Sequence, residues 1–130
     1  MRPRSSLLSL LLVVATVAAG LVLRFAPLGL PPAVVKYGGS ALWALMLYWV
    51  VSTLQPWWHL RSLILITGLL ATAVEFFKLV HTPALDTFRL TLPGILLLGR
   101  VFSAGDIAAY WLAILLGAFI DQRLRPMANR

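Results

Sequence analysis

A chain of 130 residues that is 61% hydrophobic and 12% charged, with a mean hydropathy of +0.92, lies far from a soluble globular domain, in which about a quarter of residues are charged. The length leaves room for a single domain, residues 1–130, made of several bilayer spans of about 20 residues each. The net charge of +7 comes from basic residues scattered at the ends of apolar segments, which are anchors and topology signals and not the stripe that nucleic acid requires; the absence of cysteine excludes disulfides, thiol catalysis and cysteine-ligated metal.

The first apolar segment, residues 7–23, is opened by Arg2 and Arg4 and closed by Arg24, and reads as a spanning helix. A basic start and the run VAA before Gly20 also fit a signal peptide cut after Ala19, but apolar residues continue through Leu23, which favours retention. APLGLPPAVVKYGG follows as a predicted loop, because proline and glycine break helices and the residues before Pro31 and Pro32 prefer extended backbone. The second span is expected at 40–54, followed by QPWWHLR as a short turn whose tryptophans form an interfacial belt.

A third span is expected at 62–80. Thr82 and Pro83 then mark a helix start, with threonine as cap and proline in the first turn. Pro93 and Gly94 interrupt the following stretch, leaving Ile95 to Leu98 too short to cross, so a short interfacial or re-entrant element is expected there. The fourth span, 103–120, starts with Ser103 and Asp106 in a capping-box spacing and ends in DQRLRPMANR. The fold class is therefore all-α, an integral membrane bundle of four transmembrane helices. Arg2, Arg4, Arg61, Arg123, Arg125 and Arg130 fall on one side, against Arg24, Lys36, Lys78, Arg89 and Arg100 on the other, which places both termini in the cytoplasm.

The chain has four acidic residues, and three of them, Glu75, Asp86 and Asp106, share one window with Lys78, His81, Arg89 and Arg100. A helix running to Val80 puts Glu75 about 7.5 Å inside its end. There it needs a partner, a proton or a wet cavity. Gly68, Ala71, Thr72 and Glu75 recur at spacings of three and four, so the acid shares a small-residue face suited to close helix contact. Lys78 follows at i+3 and can pair with it, or snorkel to the headgroups. Asp106 has its own explanation as a helix cap, although Ala109, Ala113 and Gly117 give that helix a small face as well. Asp86 and Arg89 are spaced to pair with each other, Arg100 fits an anionic headgroup or an interfacial anchor, and His59 and His81 are interfacial. The candidate polar pocket is thus Glu75, Lys78, Asp86, Arg89, Arg100 and Asp106. No catalytic motif, cofactor-binding loop or metal-ligand spacing is present, and no cofactor is expected.

Glu75, Arg100, Asp106 and Gly117 fall in the order of the recurrent Glu, Arg, Asp and Gly of the VanZ-like membrane proteins, which the chain resembles. VVKYGGSALWALMLYW and ALDTFRLTLPGILLLGRVFSAGDIAAYWLAILLG look closer still to domain-of-unknown-function family 2809. The resemblance covers Leu21 to Gly117 and implies a small bacterial inner-membrane protein. Three positions depart from it: Ser40 stands where an acid is expected before ALWAL, Lys78 where VanZ-like chains tend to have glutamine, and Tyr110 where they tend to have asparagine.

Three functions are compatible with these features. The leading one is a polar pocket that binds a membrane lipid or a lipid-linked envelope molecule. The second is a structural or accessory subunit, oligomeric or not, whose ions hold the helices in register. The third is a small proton-coupled transporter, for which the inverted-repeat signature is missing.

Overall fold

The computed structural model describes residues 3–97 and 102–125. Among these residues six helices follow one another, α1 (Ser6–Phe25), α2 (Pro32–Leu54), α3 (Leu60–Phe77), α4 (Pro83–Arg89), α5 (Leu92–Leu97) and α6 (Ala104–Leu124), and no strand occurs. Four of them, α1, α2, α3 and α6, are long and apolar enough to cross a membrane. The all-α bundle with four spans is therefore the observed architecture.

The helix starts follow local chemistry. Ser5 Oγ accepts from Leu8 N–H at 3.2 Å to open α1, and Thr82 Oγ1 accepts from Leu85 N–H at 3.2 Å to open α4, with Pro83 in its first turn as its sequence requires. Ser103 Oγ accepts from Asp106 N–H at 3.3 Å to open α6. α3 begins without a side-chain cap.

Three boundaries differ from the sequence expectation by three residues or more, one being the end of α6, which runs to Leu124 instead of 120 with Asp121 buried in its last turn. The second span starts at Pro32, eight residues before the predicted Ser40, because proline costs nothing at a helix start and Gly38 and Gly39 are absorbed into the helix. Gly38 has a packing reason: a Cβ there would lie 2.9 Å from Leu23 Cδ2 of α1. The third span ends at Phe77, where Lys78 to Val80 form a tightened turn, so Glu75 lies in the last turn of α3 instead of deeper in the helix. The predicted interfacial element resolves into α4 and α5, with Pro93 and Gly94 inside the first turn of α5. Gly94 is required there by sterics, since a Cβ would stand 1.9 Å from the Phe88 carbonyl oxygen.

α2 and α6 form the central pair, with α1 packed on α2 and α3 packed on both. The core is Ala44, Tyr48 and Trp49 of α2, Leu63 and Ala71 of α3, and Tyr110, Ala113, Ile114 and Ala118 of α6. The small face predicted for α3 is the one that meets α6: Gly68, Ala71 and Glu75 are buried, and the Trp111 ring lies on Gly68 while its Nε1 donates to Thr72 Oγ1 at 3.1 Å. Outward-facing side chains such as Leu69, Leu112 and Phe119 are exposed and apolar, as a lipid-facing surface requires.

Candidate functional site

The polar residues of the bundle collect at its two ends. α6 links them: Asp106 in its first turn and Asp121 in its last are 15 positions apart, or about 22 Å along the axis at 1.5 Å per residue.

At one end Glu75 is 0% exposed, and its carboxylate is shared among three donors. Ser103 N–H donates to Oε1 at 2.6 Å, Tyr110 OH donates to Oε2 at 2.6 Å, and Lys78 Nζ stands 2.7 Å from Oε2. A carboxylate at a helix C-terminus faces the negative end of the dipole, so Lys78 supplies the opposing charge that α3 itself lacks. The bond from Ser103 alters the capping box. Asp106 would ordinarily reach back to the Ser103 amide, but Glu75 from another helix occupies that donor. The Asp106 carboxylate instead accepts from Ser40 Oγ of α2 at 3.0 Å, and Lys36 Nζ donates to Ser103 Oγ at 3.3 Å. One knot of residues thereby joins α2, α3 and α6.

Of the six candidate pocket residues, Glu75, Lys78 and Asp106 meet in this knot. Asp86 and Arg89 do not. Arg89 is buried, but its guanidinium donates to the carbonyls of Val80 and Phe77, both at 2.7 Å, and so closes the C-terminal end of α3. Asp86 has a side chain 49% exposed and lies 3.6 Å from Arg89 and 3.1 Å from His81. The i, i+3 pairing expected from sequence exists, and its role is to steady that capping arginine. Arg100 lies outside the described residues. Replacing Arg89 with alanine removes both charge-assisted bonds and is expected to fray α3, raising amide exchange at Lys78 to Val80 at least roughly tenfold; hydrogen exchange measured by mass spectrometry in detergent checks it.

The opposite end carries a second buried knot that the sequence reading did not assemble. Asp121, fully buried, is bonded by Arg4 Nη1, by Arg125 Nε at 2.9 Å and by Tyr48 OH at 2.7 Å. Arg4 also donates to Ser52 Oγ at 2.7 Å and lies 5.0 Å over the Trp49 ring, and Arg125 donates to the Pro56 carbonyl at 3.0 Å. The segment before α1, the last turns of α2, the α2–α3 turn and the end of α6 are joined here. One sequence signal was present: Asp121 and Arg125 are spaced i, i+4. Nothing in local spacing points to Arg4, 117 positions away.

Two hollows lie away from the knots: an apolar groove of about 360 Å³ between α2 and α6, lined by residues including Ala41, Leu45, Ala109 and Ala113, and a groove of about 340 Å³ beside the α2–α3 turn.

The family model described as "Protein of unknown function (DUF2809)" matches residues 29–117. No curated protein and no solved structure matches the chain.

Proposed function

The chain belongs to that family of proteins of unknown function, and from this premise we propose that it is a non-catalytic structural or accessory membrane subunit, VanZ-like in pattern, whose acids clasp a fixed helical frame. The observation that carries the reading is the saturation of Glu75: both carboxylate oxygens are taken by the chain's own donors and the side chain is closed to solvent. The departures from the VanZ-like pattern support it. Lys78 and Tyr110 are two of the three donors on Glu75, and Ser40 is the donor on Asp106. An acid at position 40 would face the Asp106 carboxylate; serine gives it a hydrogen bond instead. At all three places this chain fills its polar end with internal partners, where a ligand pocket would leave donors free.

For orientation, Lys and Arg number four at each end among the described residues, Arg4, Arg61, Arg123 and Arg125 at the Asp121 end and Arg24, Lys36, Lys78 and Arg89 at the Glu75 end, and the sequence assigns Arg2 and Arg130 to the first side and Arg100 to the second, six against five. The richer end faces the cytoplasm of a bacterial inner membrane in this reading, with both termini on that side.

The test is Glu75→Gln, which keeps the shape and removes the charge. Lys78 is near enough to the surface to turn toward water, so the expected loss is about 1 to 2 kcal/mol, the worth of a charge-assisted bond or two made neutral. It is measured by denaturant titration in mixed micelles. Any lipid seen on the wild-type protein by native mass spectrometry should remain on the variant. A molecule bound to the wild type and absent from a folded Glu75→Gln, Asp106→Asn protein would replace the clasp with the alternative reading, a lipid or lipid-linked ligand held in the pocket.

A further inference from the structure

The α2–α3 turn, QPWWHLR, forms the floor of an open groove of about 340 Å³ lined by Trp57, Trp58, His59, Ser62 and Ile66. Trp57 is 74% exposed, an unusual position for the largest side chain unless something other than water meets it. We propose that this groove is a docking surface for an anionic phospholipid, with its phosphate on Arg61 and the start of its acyl chains against Trp58 and Ile66.

Charge accounting singles out the occupant. Ion pairs among the described residues account for three of the acids, Glu75 with Lys78, Asp86 with Arg89 and His81, and Asp121 with Arg4 and Arg125, and Asp106 lies within 4 Å of no described cation. Arg61, exposed in the first turn of α3 beside the groove, therefore pairs with no carboxylate among the described residues. A guanidinium matches phosphate in bidentate geometry, and His59 and Ser62 make no side-chain hydrogen bond with another described residue, which leaves them for headgroup oxygens. α3 also starts without a side-chain cap. The groove lies where two spans leave the apolar layer, the level at which amphipathic indole rings and lipid phosphates meet. A net-negative lipid is favoured over a zwitterionic one because the arginines exposed at this end, Arg61 and Arg123, face no exposed acid among the described residues, so a headgroup ammonium or choline meets repulsion.

This surface is independent of the Glu75 clasp and is tested separately. The full chain is released from nanodiscs of equal phosphatidylglycerol and phosphatidylcholine and weighed by native mass spectrometry. The expected result is selective retention of phosphatidylglycerol, reduced roughly fivefold by Arg61→Gln, the value of about one surface cation, and reduced also by Trp57→Ala. Both side chains are exposed, so neither change threatens folding; Arg24→Gln, an exposed arginine at the opposite end, should leave retention unchanged. Equal retention of both lipids, an equal loss in Arg24→Gln, or a dimer mass that disappears in Trp57→Ala would each overturn the proposal, the last by assigning the groove to a second copy of the chain.

Discussion

Asp121→Ala should be the most damaging single substitution in the protein, with a loss of about 3 to 5 kcal/mol, the range for removing one partner of a buried ion pair. The reason lies in the charge balance of that knot. Arg4 and Arg125 are both buried and both bonded to the same carboxylate. With Asp121 present, the second positive charge is spread over neutral acceptors: the Trp49 ring and Ser52 Oγ for Arg4, and the Pro56 carbonyl for Arg125. Without it, those weak acceptors stand against two guanidiniums in a medium of low dielectric. Tyr48, at 0% exposure, loses the acceptor of its hydroxyl as well. Denaturant titration in mixed micelles gives the loss. Adding Arg4→Met to Asp121→Ala should recover part of it, since the longer-range cost of an unpaired buried cation disappears with the cation. A cost below about 1 kcal/mol for Asp121→Ala would mean that the arginines reach water and that the knot is a surface feature.

How much of this arrangement could be read from sequence depends on whether its contacts are local. The small face of α3 and the cap of α6 repeat at helical spacings, so Gly68, Ala71, Glu75, Ser103 and Asp106 were legible, and the structure places them where periodicity puts them. The early end of α3 was not, because Phe76 and Phe77 continue the apolar run while the termination is enforced from α4 by Arg89, twelve positions past Phe77. The Asp121 knot was missed for the same reason. Its acid sits in a basic tail that looks solvated, and its main partner arrives from the other end of the chain. Tyr48 and Tyr110 stand inside apolar segments, and a hydroxyl that donates to a carboxylate one helix away has no signature in spacing. Arg100 is placed by sequence alone.

The two knots divide the work of holding α6. Near its start, Tyr110 and Ser103 tie it to α3 through Glu75. At its end, Asp121 and Arg125 tie it to α2, to the segment before α1 and to the α2–α3 turn. Between them there is no ion pair among the described residues, and the contact depends on fit: Trp111 on Gly68, and Leu45 and Tyr48 on Gly117, where an added Cβ would meet Leu45 Cδ1 at 2.6 Å. Membrane helices gain little from excluding lipid, which is as apolar as they are, so close packing of this kind supplies the attraction that burial supplies in water.

That dependence makes Gly68→Val the second large effect. A Cβ at position 68 would lie 2.1 Å from Trp111 Cη2 and 2.2 Å from Cζ3, far inside van der Waals contact, so either the ring or the helix must move. The ring has little freedom: its Nε1 is bonded to Thr72 Oγ1, one turn along the same helix, so lifting it off Gly68 breaks that bond. Overpacking of about 1 to 3 kcal/mol and a lost hydrogen bond of about 0.5 to 1.5 kcal/mol together give a destabilisation of about 1.5 to 4.5 kcal/mol. Gly68→Ala should cost less, because about 1 kcal/mol of helix propensity is gained against the same clash. Trp111 is adjacent in sequence to Tyr110, so displacing the ring also strains the hydroxyl that holds Glu75. The decisive comparison is Gly68→Val with and without Trp111→Ala. If the ring is the obstacle, the valine penalty shrinks sharply once the indole is gone; an undiminished penalty in the Trp111→Ala background would place the cost in the α3 backbone and remove the packing argument for the α3–α6 contact.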